Sequence, residues 1–177
     1  QDSLRGGQLA GRLAHLFSGT IQGCFSIFVA YQGDFHIMQR RNGFIHYAEK
    51  ASFKTAVTEG LDLENDDSVR EALDLLLAEH PDVQGVFVTS ASAHRVADAA
   101  RNIRKKQEFI IIGFDMVEKN HRLLAQGDID AIISQRPKTQ GRKALLTLYQ
   151  HLVVGNQVEA RIDIPLDVYI RENVPCI

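Results

Sequence analysis

Apolar residues along the chain follow two rhythms that take turns. Leu9, Leu13 and Leu16, with Ala10, Ala14 and Phe17 one step on, recur at helical spacing and predict a helix over 3–18. The run GCFSIFVA (23–30) is apolar almost throughout and predicts a strand. Asp34 is placed to cap the next helix, which carries Phe44, Ile45 and Tyr47, and FKTAVTEG (53–60) reads as a second, alternating strand. Asp66, Asp67 and Ser68 open a helix whose Val69, Leu73, Leu76 and Leu77 form one stripe, and Pro81 stops it. Then come strand VQGVFVTS (83–90), helix 91–105, strand FIIIGF (109–114), a short helix closing at 123–126, and strand DAIISQ (130–135). After Pro137 a helix over 139–154 and an extended segment over 160–170 complete the chain.

Strands that are apolar throughout and separated by helices require a parallel sheet covered on both faces. The expectation is therefore an α/β, doubly wound, flavodoxin-like sheet, with an atypical tail after residue 136. Such sheets bind ligands beyond the carboxyl ends of their strands. The polar residues at those ends are Gln32, Asp34, His36 and Arg40 after the first strand, and Glu64, Asn65 and Asp66 after the second. Thr89 and Ser90 follow the third, Asp115 the fourth, and Ser134 and Gln135 the fifth. Carboxylates beside a fork-shaped guanidinium suit hydroxyl-rich ligands, in which each hydroxyl gives and accepts a hydrogen bond. Phosphate fits badly, because Asp115 and Glu64 would repel it. Each residue also has a plain structural use: Arg40 as a solvated helix residue, Asp115 and Ser90 as helix caps, Gln135 as a surface amide.

Composition narrows the classes. With 177 residues, 45% hydrophobic and 24% charged, the chain suffices for a globular core, and its net charge of −2 offers nucleic acid no broad basic face. RNIRKK (101–106) reads as the solvated end of a helix, and no apolar run reaches the roughly 20 residues of a membrane span. Cys24 and Cys176 have no metal-ligand spacing and read as free thiols in a reducing compartment. The seven histidines show no ligand pattern, so no metal is expected, and His36 is the one placed at the binding edge. No G-x-S-x-G elbow, P-loop or strand-linked G-x-G-x-x-G is present, so neither an enzyme nor a cofactor is expected. GGQLAG (6–11) follows no strand and reads as small residues for helix packing.

The order and spacing of RRNGF (40–44), AEHPDVQGVFVTS (78–90), FIIIGFDMV (109–117), LLAQGDIDAIISQRPKTQG (123–141) and the terminal IPLDVYIREN resemble the type I periplasmic-binding fold. That fold is shared by bacterial sugar-binding proteins and by the effector domains of LacI–GalR (lac-repressor) type regulators. The resemblance implies two similar α/β lobes with a small effector between them. It implies that 1–135 are the C-terminal lobe, 136–164 a return segment belonging to the N-terminal lobe, and 165–177 a closing strand and tail. It makes Arg40, Asp115 and Gln135 ligand-contacting, with Ser90, His36 and Glu64 close by. Ser90-Ala91 stands where many members carry Asn then Asp, and Glu64 stands near a position that is aromatic in some sugar binders.

The SASAHRVADAA helix and the IRENVPCI ending resemble regulators more than secreted receptors. The expectation is therefore a cytoplasmic, sugar-responsive transcription regulator that meets DNA only through an N-terminal headpiece outside this chain. The alternative is a solute-binding protein of a sugar importer, or a sensor ectodomain. Leu145, Leu146, Leu148 and Leu152 would present an apolar face with no first-lobe sheet beneath it, so this segment is expected to dock on a second chain, by exchange or pairing in a homodimer, or to be poorly ordered.

Overall fold

The computed structural model describes residues 2–19, 22–105 and 108–175. Twelve elements follow one another: α1 (Ser3–Ser18), β1 (Cys24–Val29), α2 (Phe35–Ala51), β2 (Lys54–Glu59), α3 (Asp66–Glu79), β3 (Val83–Val88), α4 (Ala93–Arg104), β4 (Ile110–Phe114), α5 (Glu118–Gln126), β5 (Ala131–Ser134), α6 (Pro137–Leu152) and β6 (Asp167–Tyr169). The sheet order is β2-β1-β3-β4-β5-β6. The first five strands are parallel, and β6 runs antiparallel to β5, pairing Ser134 with Asp167. The expected α/β doubly wound architecture is thus present. The segment over 160–170, expected to be extended, forms a strand only at 167–169, where it meets the free edge of β5.

Side-chain alternation along buried strands builds two cores. Phe25, Ile27 and Val29 of β1, with Phe87, Ile112, Phe114 and Ile133, pack under α1 and α2. Cys24, Phe28, Val86, Val88, Ile111 and Ile132 face the other way, under α3, α4 and α5. Asp34 caps α2 by accepting from the backbone N–H of His36 and Ile37, and Asn65, rather than the acidic pair after it, caps α3. Gly127 ends α5 in the left-handed region, φ 82°.

The small residues of GGQLAG do serve helix packing. A Cβ on Gly7 would lie 1.9 Å from the Arg40 carbonyl oxygen, and one on Gly43 would lie 2.0 Å from that of Leu4. The backbones of α1 and α2 therefore touch, which sets where α2 places Arg40. α6 departs from this order, because among the described residues none of it is buried. Leu145 and Leu152 are each 69% exposed, and the chain over 158–164 lies along one side of the helix.

Gly43→Ala must push α1 and α2 apart, and a loss of roughly 1–3 kcal/mol in urea denaturation is expected. Gly33→Ala, with open space around its Cβ, should stay within about 0.5 kcal/mol of the parent.

Candidate functional site

The carboxyl ends of β1, β3, β4 and β5 surround a hollow of about 520 Å³ lined by Tyr31, Asp34, His36, Ile37, Arg40, Ser90, Ala91, Asp115, Gln135 and Gln140. Five of the six residues singled out in the sequence meet there: His36, Arg40, Ser90, Asp115 and Gln135. Glu64 does not line it. Its carboxylate accepts from Ser92 Oγ at 2.7 Å and pairs with Arg95 at 3.3 Å, and these bonds hold its pKa below the ordinary value.

Arg40 leaves the second turn of α2 and is only 5% exposed. Its Nη1 donates to the Thr89 carbonyl at 2.7 Å, and the guanidinium lies 3.8 Å over the Phe114 ring. Phe114 stands beside Phe87, which stacks on Phe44, so the cation rests on an aromatic layer. Burial pulls the guanidinium pKa down, while Asp115 and Asp34 oppose that shift. The solvated-helix alternative for Arg40 is excluded. Asp34 also lies at this rim, and its bonds to the Ile37 and His36 amides keep its pKa below the ordinary carboxyl value. Its cap is therefore fully formed above the unfolded carboxyl's range and is lost as pH falls through the lowered value.

Asp115 continues the ladder of β4, donating its N–H to Ile133 at 2.8 Å, and then turns at φ 62°. A non-glycine residue in the left-handed region costs about 1 kcal/mol and recurs at functional sites. The residue does not cap α5, whose cap position is Val117 with no side-chain bond. Its Oδ2 instead accepts from Gln135 Nε2 at 2.6 Å. Gln135 is in turn seated by Gln140, whose amide donates to the Gln135 carbonyl at 2.7 Å. Ser90 does not occupy the cap position of α4 either. That position is Ser92, whose N–H donates to Ser90 Oγ at 3.4 Å. His36 Nδ1 lies 3.1 Å from Ser3 Oγ, so α1 helps orient the imidazole at the rim.

Two polar atoms at this hollow are buried without a hydrogen-bond partner among the described residues: Arg40 Nε, a donor, and Asp115 Oδ1, an acceptor. Buried polar groups are nearly always paired, so these two atoms leave hydrogen-bonding capacity open at the hollow. A donor and an acceptor over an aromatic layer match an organic molecule bearing hydroxyls.

Sequence reading missed Asn120. It is fully buried at the start of α5. Its Nδ2 donates to the carbonyls of Ala91 and Asp115, both at 2.9 Å, and Oδ1 accepts from the His94 N–H at 2.9 Å. This one amide ties the loop after β3 to the loop after β4. The only signal in the sequence was a polar residue on the apolar phase of a short helix. Tyr31 was also passed over, although it is 58% exposed at the lip of the hollow.

Residues 1–157 match the periplasmic binding protein domain family. The ribose import binding protein RbsB of Escherichia coli (strain K12) is 25% identical over 134 residues, covering 76% of this chain and 45% of RbsB. The chain thus spans less than half the length of that relative. The structure of GanP, a glucose-galactose binding protein from Geobacillus stearothermophilus, superposes with TM-score 0.86 at 25% identity, over 99% of this chain and 62% of GanP. A putative LacI transcriptional regulator from Bacteroides fragilis superposes with TM-score 0.82 at 25% identity, over 98% of this chain and 61% of that one.

Asn120→Ala would take their partner from the His94 amide and the Ala91 carbonyl and leave the Asp115 carbonyl only its bond from the Val117 N–H, and a loss of roughly 2 kcal/mol or more is expected. Amide hydrogen exchange should quicken at residues 91–94 and 115–117, away from the sheet centre. The chain belongs to the periplasmic binding protein domain family.

Proposed function

We propose that this chain is the C-terminal half of a two-lobed sugar-binding protein of the solute-binding type, and that the hollow at Arg40 and Asp115 is its half of the sugar site. The observation that carries this reading is the unpartnered pair, Arg40 Nε and Asp115 Oδ1, at the carboxyl edge of the sheet. A sugar hydroxyl donates to Asp115 while a neighbouring one accepts from Arg40. Gln135, already bonded to Asp115, orients the carboxylate and offers its own oxygen. Ser90 and His36 take peripheral hydroxyls, and the exposed ring of Tyr31 supplies a face for the apolar side of the sugar. Glu64 belongs to the rim network with Ser92 and Arg95 and acts on the ligand only through them. The names of the ribose importer component and of the glucose-galactose binder support a sugar as the ligand class.

α6 and the chain over 158–164 then belong to the other lobe, as the exposed leucines of α6 suggest. Closure of two lobes around the ligand would report occupancy to a membrane transporter, with the protein acting outside the cytoplasm. The second reading, placed first by the sequence, is a cytoplasmic LacI-type regulator in which the same closure moves a DNA-binding headpiece. The similarity to the Bacteroides fragilis regulator supports it, and the import reading has the support of both named sugar binders. The codons preceding Gln1 separate the two: a helix-turn-helix supports the regulator, and an export leader supports the importer.

The protein with both lobes, screened by thermal shift against aldopentoses and aldohexoses, should gain stability with at least one of them. Asp115→Ala should weaken that sugar roughly 10- to 150-fold. An unchanged shift in the variant would overturn the site. Arg40→Met should also lose the sugar, and should cost roughly 1–3 kcal/mol of folding stability because it takes the 2.7 Å donor from the buried Thr89 carbonyl. The 177-residue chain by itself should elute as a dimer in size-exclusion chromatography with light scattering, and Leu145→Glu with Leu152→Glu should return it to monomer.

A further inference from the structure

At the opposite end of the sheet, the amino ends of β1 and β3 bring together three side chains that the sugar site does not use. Cys24 Sγ, an imidazole nitrogen of His80 and a carboxylate oxygen of Asp82 all lie within 4.8 Å of one another. Cys24 is buried, His80 half-buried and Asp82 exposed, so the group has a dry inner wall and one side open to water. We propose that Cys24, His80 and Asp82 form a site for a zinc-like divalent ion.

Thiolate, imidazole and carboxylate are the donor types such ions select, and three protein ligands leave a fourth position for water. Around a tetrahedral ion these donors stand about 3.4–3.6 Å apart, given bond lengths near 2.0–2.3 Å. The three groups therefore need to draw in by at most about 1.4 Å, which is within side-chain rotation.

The backbone beneath them is fixed independently of any ion. A Cβ on Gly23 would lie 2.0 Å from the Asp82 carbonyl oxygen, so the chains preceding β1 and β3 touch. The His80 N–H donates to Leu76 at 2.8 Å, and its carbonyl accepts from Val83 at 3.0 Å, closing a turn around Pro81. The β1–β3 register shifts between Cys24 and Ser26, a local irregularity of the kind that re-aims a side chain. β1 separates this site from the sugar hollow by its whole length, roughly 20 Å for six residues at ~3.3 Å each. The ion would therefore act as a clip joining β1 to the α3–β3 turn, not as part of the ligand site.

Binding replaces the Cys24 proton with the metal, and that proton leaves to solvent. Burial, with Asp82 adding to it and Lys54 opposing it, raises the thiol pKa to about 11, so without an ion the sulfur is protonated and unreactive.

The test uses the chain with Cys176→Ser, which leaves Cys24 as its only thiol. Added Co²⁺ should produce a thiolate-to-cobalt charge-transfer band that saturates at one ion per chain and is displaced by Zn²⁺. The band should vanish in Cys24→Ser. His80→Ala and Asp82→Asn, both on the accessible turn, should keep the native circular dichroism spectrum while weakening the ion at least about tenfold. Zn²⁺ should raise Tm, and chelation should reverse the rise. Absence of the band in the parent, or equal Co²⁺ affinity in the parent and in His80→Ala, would overturn the site.

Discussion

A guanidinium held at 5% exposure governs the geometry of this lobe. Removing such a charge from water is costly unless dipoles and rings replace the solvent. Here the replacement comes from the Thr89 carbonyl below, the Phe114 ring alongside and the field of Asp115 across the hollow. They arrive from the ends of two strands, Thr89 after β3 and Phe114 with Asp115 at the end of β4, so Arg40 is correctly placed only when both strands and α2 are in register. The two glycine contacts between α1 and α2 act on the same residue, since the Gly7 position abuts the Arg40 carbonyl itself. Packing of α1, which touches no ligand, thereby becomes part of the site's construction.

Much of this was legible in the chain before its structure. Phe25–Val29 and Ile110–Phe114 are apolar at every step but Ser26 and Gly113, a pattern that only a strand buried on both faces tolerates. Strand ends then located Arg40, Ser90, Asp115 and Gln135, because topology sends those ends to one edge. Other features depend on distances that no local pattern encodes. Asp115 and a capping aspartate look alike in sequence, and only the φ of 62° and the cap at Val117 distinguish them. Asn120 sits among Glu118, Lys119 and His121 like a surface amide, and its burial arises from loops 91 and 115 closing over it. The tail was harder still. β6 exists only where β5 lends it an edge, and it is three residues long. Cys24 and the turn at 80–82 are too far apart in sequence for any spacing rule, and become neighbours through the β1–β3 pairing.

The crossing out of β5 shows how the lobe hands its chain onward. Gln135 keeps its side chain at the hollow, and the next residue, Arg136, turns at φ 54° before Pro137 opens α6. Arg136 is gripped by the carboxylate of Asp167 at the start of β6, with Nε 2.7 Å from Oδ2. The outgoing and returning strands are thus tied together beside the residue that contacts Asp115. The pair is partly exposed and contributes little to stability, but it fixes the angle at which the two passages leave the sheet.

The Asn120 amide bears on the order of events in ligand capture. Because it ties the loops after β3 and β4 together as the chain folds, Ser90 and Asp115 would, on the proposed reading, be held in place before a sugar arrives. The encounter is then with a rigid surface, and the first contact forms at a rate close to that of collision and orientation alone. On the proposed two-lobed reading, how long a sugar stays would then be set by the other lobe, which closes over it.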